Sequence, residues 1–407
     1  MTHNEKSVIR ELAKKYMELA TDDAQIKMNK RMLDTNDLKL VRPPVLMDEI
    51  PWYQMDIDGE LTCVCETPAV REVESKLRTS IFRRKHFYAD TLFEPFWRVT
   101  MAYDSTGIGV SWKEEIRRTD DTNNIVSHSY IDILEDEDSV ELIKIPTFTL
   151  RPDKDEKAMD FYTDLFGDTM PVKLCGRGCM YNAPWDIIVR LRGIETVFYD
   201  LYDRPEHTHA IRKKFQDIAL AEIDFVEKNL HVDSTFPELH CTPAYVSGLE
   251  GDGWKATWYR TMAQGFSEVS PDMHWEFDVA YALDVAKHFG YTYYGCCEPL
   301  DKKLDNIFKI PNLRKVGVSP WADEDIMAER LGGSYVYSKK PNPAYVAQVT
   351  DPDVIRAETE KTVKLCIKNG CPVEFVLKDI STVSNRPENL VVWSKVVSDV
   401  LDGYYGK

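Results

Sequence analysis

The sequence predicts a single (β/α)8 TIM barrel with an N-terminal helical extension and a rim insertion. Three observations point there. Short apolar runs alternate with helical stretches through the second half of the chain, the connections between them are too long for hairpins, and the runs counted from Val45 to Lys378 come to eight. In this reading residues 1–407 form one domain. An open doubly wound sheet is the alternative.

The elements follow in order. Residues 1–40 form the helical extension, with Val8, Leu12, Tyr16, Leu19 and Ile26 near one face of a single helix. Arg42-Pro43-Pro44 then opens the first buried strand, Val45 to Met47, which ends in Asp48-Glu49-Ile50-Pro51-Trp52. The other predicted strands are Trp97–Tyr103, Val172–Cys175, Leu239–Val246, Tyr291–Cys296, Lys315–Ser319, Ser334–Tyr337 and Val373–Lys378. One helix starts at Ser270-Pro271, a cap followed by proline at the first helical position, and stops at Gly290. Another runs from Thr350 or Asp351, ahead of Pro352, to Asn369-Gly370. Residues 104–145 are the predicted insertion, because the acidic stretch from Arg117 to Asp138 breaks the rhythm and reads as a small hairpin on the rim.

Composition excludes several classes of function. With 51 Lys and Arg against 68 Asp and Glu, the net charge is −17. That excess argues against nucleic acid and against an anionic membrane surface as partners. No stretch reaches the ~18 consecutive apolar residues of a membrane span, and Met1 to Lys15 lacks the apolar core of a secretory signal. Nine cysteines are an odd number, so reduced thiols in the cytoplasm are expected, with clustered cysteines as candidate metal ligands. The phosphate-binding loop, the nucleophile elbow, the zinc-protease helix and the dinucleotide-binding glycine pattern are all missing from the sequence.

A parallel barrel gathers its chemistry at the carboxyl ends of its strands. The residues there are Asp48 and Glu49, Cys175, His240 and Cys241, Cys296 to Glu298, Ser319 and Trp321, and Lys378 with Asp379. Tyr293-Tyr294-Gly295-Cys296-Cys297-Glu298-Pro299 is the most informative segment, offering two thiols and a carboxylate after a glycine turn. Thiolates and carboxylates are zinc ligands. The competing reading is that the cysteines are buried small hydrophobes. His240 is a candidate for proton transfer or else a satisfied core histidine, and Glu268 is a candidate or else electrostatic support for the helix that starts at Ser270.

The stretch from Met262 to Phe277, followed by Tyr294-Gly-Cys-Cys-Glu-Pro299, resembles the uroporphyrinogen decarboxylase superfamily, and within it the corrinoid-dependent methyltransferase-like, O-demethylase-type branch. Arg42 to Trp52, Lys340-Pro-Asn-Pro343 and Leu377 to Thr382 share the resemblance, which extends from about residue 10 to the C-terminus. It implies a single (β/α)8 barrel. It also implies two chemistries. Cofactor-free decarboxylation of an acidic tetrapyrrole would need arginines near the first strand, where Asp48 and Glu49 stand instead. The methyltransferases of the superfamily bind zinc through a His-x-Cys pair and a later cysteine. Here Tyr294 or Gly295 holds the histidine's place, and Asp379 follows the last strand. The implied zinc ligands are therefore Cys296, Cys297 and Glu268, with Glu268, His240 and Glu49 as the catalytic candidates. Trp52, Tyr53, Trp321 and Asp379 would line the substrate pocket, though each aromatic also suits ordinary packing. The expected reaction is demethylation of a small methylated substrate, an O-methyl compound, with zinc assisting and the methyl group passing to a separate corrinoid protein. The resemblance also implies a homodimer. A uroporphyrinogen decarboxylase activity and a non-catalytic corrinoid-carrier binding protein stay open as alternatives.

Overall fold

The computed structural model describes residues 1–118, 126–249, 251–348 and 350–406. Its centre is a seven-stranded parallel sheet. From one edge to the other the strands are Val45–Met47, Val373–Leu377, Val336–Lys339, Leu313–Val318, Tyr291–Tyr294, Trp258–Thr261 and Met180–Tyr181. Val45 pairs with Phe375, so the first strand of the chain lies beside the last. Helices follow most of these strands and cover the outer face, as parallel crossovers require.

The expected eight-stranded barrel is not closed. The two edge strands are not bonded to each other, and Trp97–Thr100 pairs with Val172–Cys175 in a separate two-stranded parallel sheet. A side chain accounts for the open edge. Asp90 accepts from the Val45 amide at 2.8 Å and returns its own N–H to the Val45 carbonyl at 2.6 Å. The bonds a second strand would make are thus already used, and Arg31 fixes Asp90 from 2.7 Å.

Two other strand expectations change. Leu239–Val246 is not a sheet strand: Glu238–Leu239 and Thr242–Pro243 form a hairpin around His240-Cys241, with His240 at φ 58° as a two-residue turn demands. Trp258–Thr261 takes the place in the sheet instead. The N-terminal helix is also two helices, His3–Ala20 and Asp23–Asn36, because Asp22 caps the second and binds Arg84. Both predicted caps are in place elsewhere. Ser270 accepts from the Met273 amide ahead of Pro271, and the other helix runs Pro352–Asn369 between Asp351 and a left-handed Gly370. Within 104–145, Lys113–Arg117 pairs antiparallel with Ser127–Ile131. Residues 119–125 of the acidic stretch lie outside the described residues.

Side-chain alternation divides the sheet into two faces. Tyr294, Val316, Tyr337 and Phe375 pack into the core beneath the helices. Arg260, Tyr293, Lys315, Gly317, Ser338 and Glu374 alternate with them on the inner face and are buried too. That inner face is polar and hydrogen-bonded: Lys315 and Glu374 form an ion pair at 2.8 Å, joined by Thr242 and Ser338. Among the described residues no helix is long and apolar enough to cross a membrane.

Candidate active site

One cluster gathers at the carboxyl ends of three strands of the sheet, Val45–Met47, Tyr291–Tyr294 and Val373–Leu377. Cys297 donates its thiol proton to Asp379 Oδ2 at 2.6 Å, and Cys296 Sγ lies 3.7 Å from Cys297 Sγ. Glu49 accepts the backbone N–H of Asp379 at 2.9 Å. Lys378, buried under these groups, donates to Cys296 Sγ at 3.2 Å and stands 3.3 Å from Asp379 and 3.6 Å from Glu49. Glu49 and Asp379 adopt left-handed backbone, φ 51° and 57°, which non-glycine residues seldom hold without a local reason.

Two glycines bring the strand end close enough for this. A Cβ on Gly317 would come within 2.7 Å of the Gly295 carbonyl carbon and 2.9 Å of the Cys296 amide nitrogen, both backbone atoms. Gly295 turns at φ 89°. Gly317→Ala is therefore expected to cost about 1–3 kcal/mol in denaturant unfolding and to displace Cys296, because the contact is with main chain that has no rotamer to change. Glu298, fully buried, accepts the Cys296 amide at 2.9 Å and the Ala263 amide at 3.3 Å. It braces the thiol segment from behind and is not offered to the mouth.

The electrostatics separate the two thiols. Cys296 is lowered to about 4, first by its contact with the Cys297 thiol and then by the charges of Arg260, Lys378 and Lys340, which together outweigh burial. Cys297 is raised, by its bond to Cys296, by burial and by the neighbouring negative charges. Glu49 is raised to about 7, first by desolvation and then by its hydrogen bond with Asp379. Asp379 is lowered despite burial, because Glu49, Cys297 and Lys378 all favour its charged form. At neutral pH the site thus holds a thiolate at Cys296, a carboxylate at Asp379 and a proton on or near Glu49. His240 stacks on Tyr181 with ring centroids 4.6 Å apart. Burial and the nearby Arg260, Lys378 and Lys340 lower it to about 3, so its ring is neutral.

Of the residues singled out from the sequence, Glu49, Cys296, Cys297 and Asp379 meet. Tyr53 is at the rim, its hydroxyl donating to Ser381 O at 3.4 Å. Trp52 packs edge-on against Phe82 with Arg83 over its ring. Glu268 and Trp321 lie in a separate surface pocket with Ser270, Asp301 and Lys303. Sequence reasoning missed Arg260, Lys340 and Tyr181 as neighbours of the thiols; the available signal was a single charged residue inside Trp258-Tyr-Arg-Thr261 and the Lys339-Lys340 pair that closes and follows Val336–Lys339.

The zinc ligands expected from the resemblance are not assembled. Glu268 is exposed in the other pocket, the Cys296 sulfur faces an ammonium group, and Cys297 with Asp379 makes two donors where a catalytic zinc takes three. Among the described residues no three His, Cys, Asp or Glu side chains converge to hold a metal ion.

No family model matches the chain, and no curated protein matches it. Among solved structures, a methyltransferase from Methanosarcina mazei is similar at TM-score 0.49 and 14% identity, over 93% of this chain and 99% of that one. A likeness of that degree does not identify a reaction.

Proposed function

We propose that this chain is a methyltransferase that demethylates a small O-methyl substrate and passes the methyl group to a separate corrinoid protein. The observation that carries the reading is the placement of Glu49 at a strand end, half exposed, 2.9 Å from the Asp379 N–H and 3.6 Å from Lys378, where burial and Asp379 raise its carboxyl to about 7. The sequence resemblance of the Arg42–Trp52, Tyr294–Pro299 and Leu377–Thr382 segments supports it, since these segments supply Glu49, Cys296, Cys297 and Asp379.

An ether oxygen leaves poorly as an anion, so methyl transfer needs a proton at that oxygen. The corrinoid protein supplies the nucleophile for the methyl carbon. As the carbon–oxygen bond breaks, its electron pair stays on oxygen, and the Glu49 carboxyl donates its proton there. Asp379 remains ionised and its backbone N–H holds the Glu49 carboxyl in place, while Lys378 limits the charge left behind. Glu49 is 43% exposed, so solvent can return the proton between turnovers. No step uses zinc, because the expected donors do not meet.

The test is an anaerobic assay with a reduced corrinoid protein and a panel of O-methyl donors. The expected product is the free alcohol or phenol, formed only when the corrinoid protein is present. Loss of carbon dioxide from uroporphyrinogen, with no donor demethylated, would replace the reading by that of a decarboxylase.

A further inference from the structure

Two of the most deeply buried side chains are cations that lack a carboxylate partner. Arg260 is 0% exposed and Lys340 1%. Buried lysines nearby are paired, Lys315 with Glu374 at 2.8 Å and Lys339 with Glu324 at 3.1 Å. Among the described residues, neither Arg260 nor Lys340 makes such a pair. Lys340 donates to Ser338 Oγ at 2.9 Å, one bond for three donors. Arg260 donates through Nη1 to the Gly295 carbonyl, while its buried Nε and Nη2 have no partner.

Nε and Nη2 share one edge of the guanidinium plane, the edge that meets both oxygens of a carboxylate. Both cations lie against the Tyr293 ring: the Arg260 guanidinium carbon is 3.6 Å from its centroid and the Lys340 nitrogen 5.4 Å. An unpaired buried guanidinium is costly, and a ligand anion removes that cost. The stacked Tyr181 and His240 rings both neighbour Arg260, and Tyr181 is 45% exposed. A monoanion suits the site better than a phosphate dianion, because the Cys296 thiolate already offsets part of the positive charge.

We propose that Arg260 and Lys340 form a carboxylate subsite reached past the Tyr181–His240 stack, so that the substrate is a small methylated carboxylic acid. Only the methyl group rests on the reading given under Proposed function; the anion site stands apart from it.

The experiment is calorimetric titration of the whole chain at constant ionic strength with benzoate, with benzamide as its neutral counterpart, and with inorganic phosphate. Benzoate is expected to bind saturably, benzamide not to bind, and phosphate to bind at least about tenfold more weakly than benzoate. R260M and K340M should each weaken benzoate by at least about tenfold, the loss of a charge-assisted hydrogen bond. Equal binding of benzoate and benzamide, no benzoate binding, phosphate as tight as benzoate, or variants that bind as the wild type does would each overturn the subsite. Should either variant fail to fold, the benzoate and benzamide comparison on the wild-type chain decides alone. Benzoate binding without demethylation of any donor would keep the subsite and remove the reaction. Demethylation without benzoate binding would do the reverse.

Discussion

Glu49→Gln is expected to slow methyl transfer by about 10²–10⁴-fold while leaving the fold intact, the usual range for removing a positioned general acid. Glutamine keeps the shape of the side chain, and its amide oxygen still accepts the Asp379 N–H. It has no proton to give. The pH dependence carries the sharper signature. Because the acid must be protonated to act, the wild-type rate should fall as pH rises through about 7, the value to which burial and Asp379 raise Glu49. The variant should be slow and flat across the same range. The stability effect has the same direction: the folded chain holds this proton more tightly than the unfolded one, whose carboxyl has its ordinary value near 4.5. What Glu49 adds to stability is therefore present below 4.5 and is lost as pH rises to about 7. A rate loss under tenfold, or a falling limb that persists in the variant, would remove Glu49 from the mechanism.

Lys315→Met should destabilise the protein by about 3–5 kcal/mol, read as a lower urea midpoint, because it strands a buried carboxylate. Lys315 and Glu374 are 0% and 1% exposed in their side chains, with nitrogen and oxygen 2.8 Å apart. Thr242 and Ser338 still donate to Glu374 in the variant, but neither supplies charge. Replacing both partners, Lys315→Met with Glu374→Leu, should recover most of the loss, since neither member of the pair is then left without the other. If the single and double variants are equally destabilised, packing and not the ion pair accounts for the effect.

How much was legible depended on how local the determining chemistry is. Ser270-Pro271 and Asp351-Pro352 to Gly370 could be read as helix limits because a cap is settled within four residues. Glu49, Cys296, Cys297 and Asp379 were reachable as strand ends, and a parallel sheet brings strand ends together whatever the loops do. Glu268 looked equivalent, but it sits on a surface stretch past the end of Trp258–Thr261, in a different pocket. Arg260 and Lys340 were hidden because a cation in a short strand, or just past one, resembles a surface residue, and only the fold reveals that both are buried. The open edge was the least legible feature of all. It depends on Asp90, forty-five residues from the amide it binds, doing what a strand was expected to do.

That Asp90 contact also bears on how the protein emerges from the ribosome. The first strand can have one edge occupied almost at once, by a side chain made shortly after it. Its other edge belongs to Val373–Leu377, so Val45 must wait for Phe375. At about 5–20 residues per second that interval is some tens of seconds, during which half of the strand's hydrogen-bonding capacity is unmatched. Blunting one side early lowers the chance that a nascent chain pairs with another instead of with its own C-terminus.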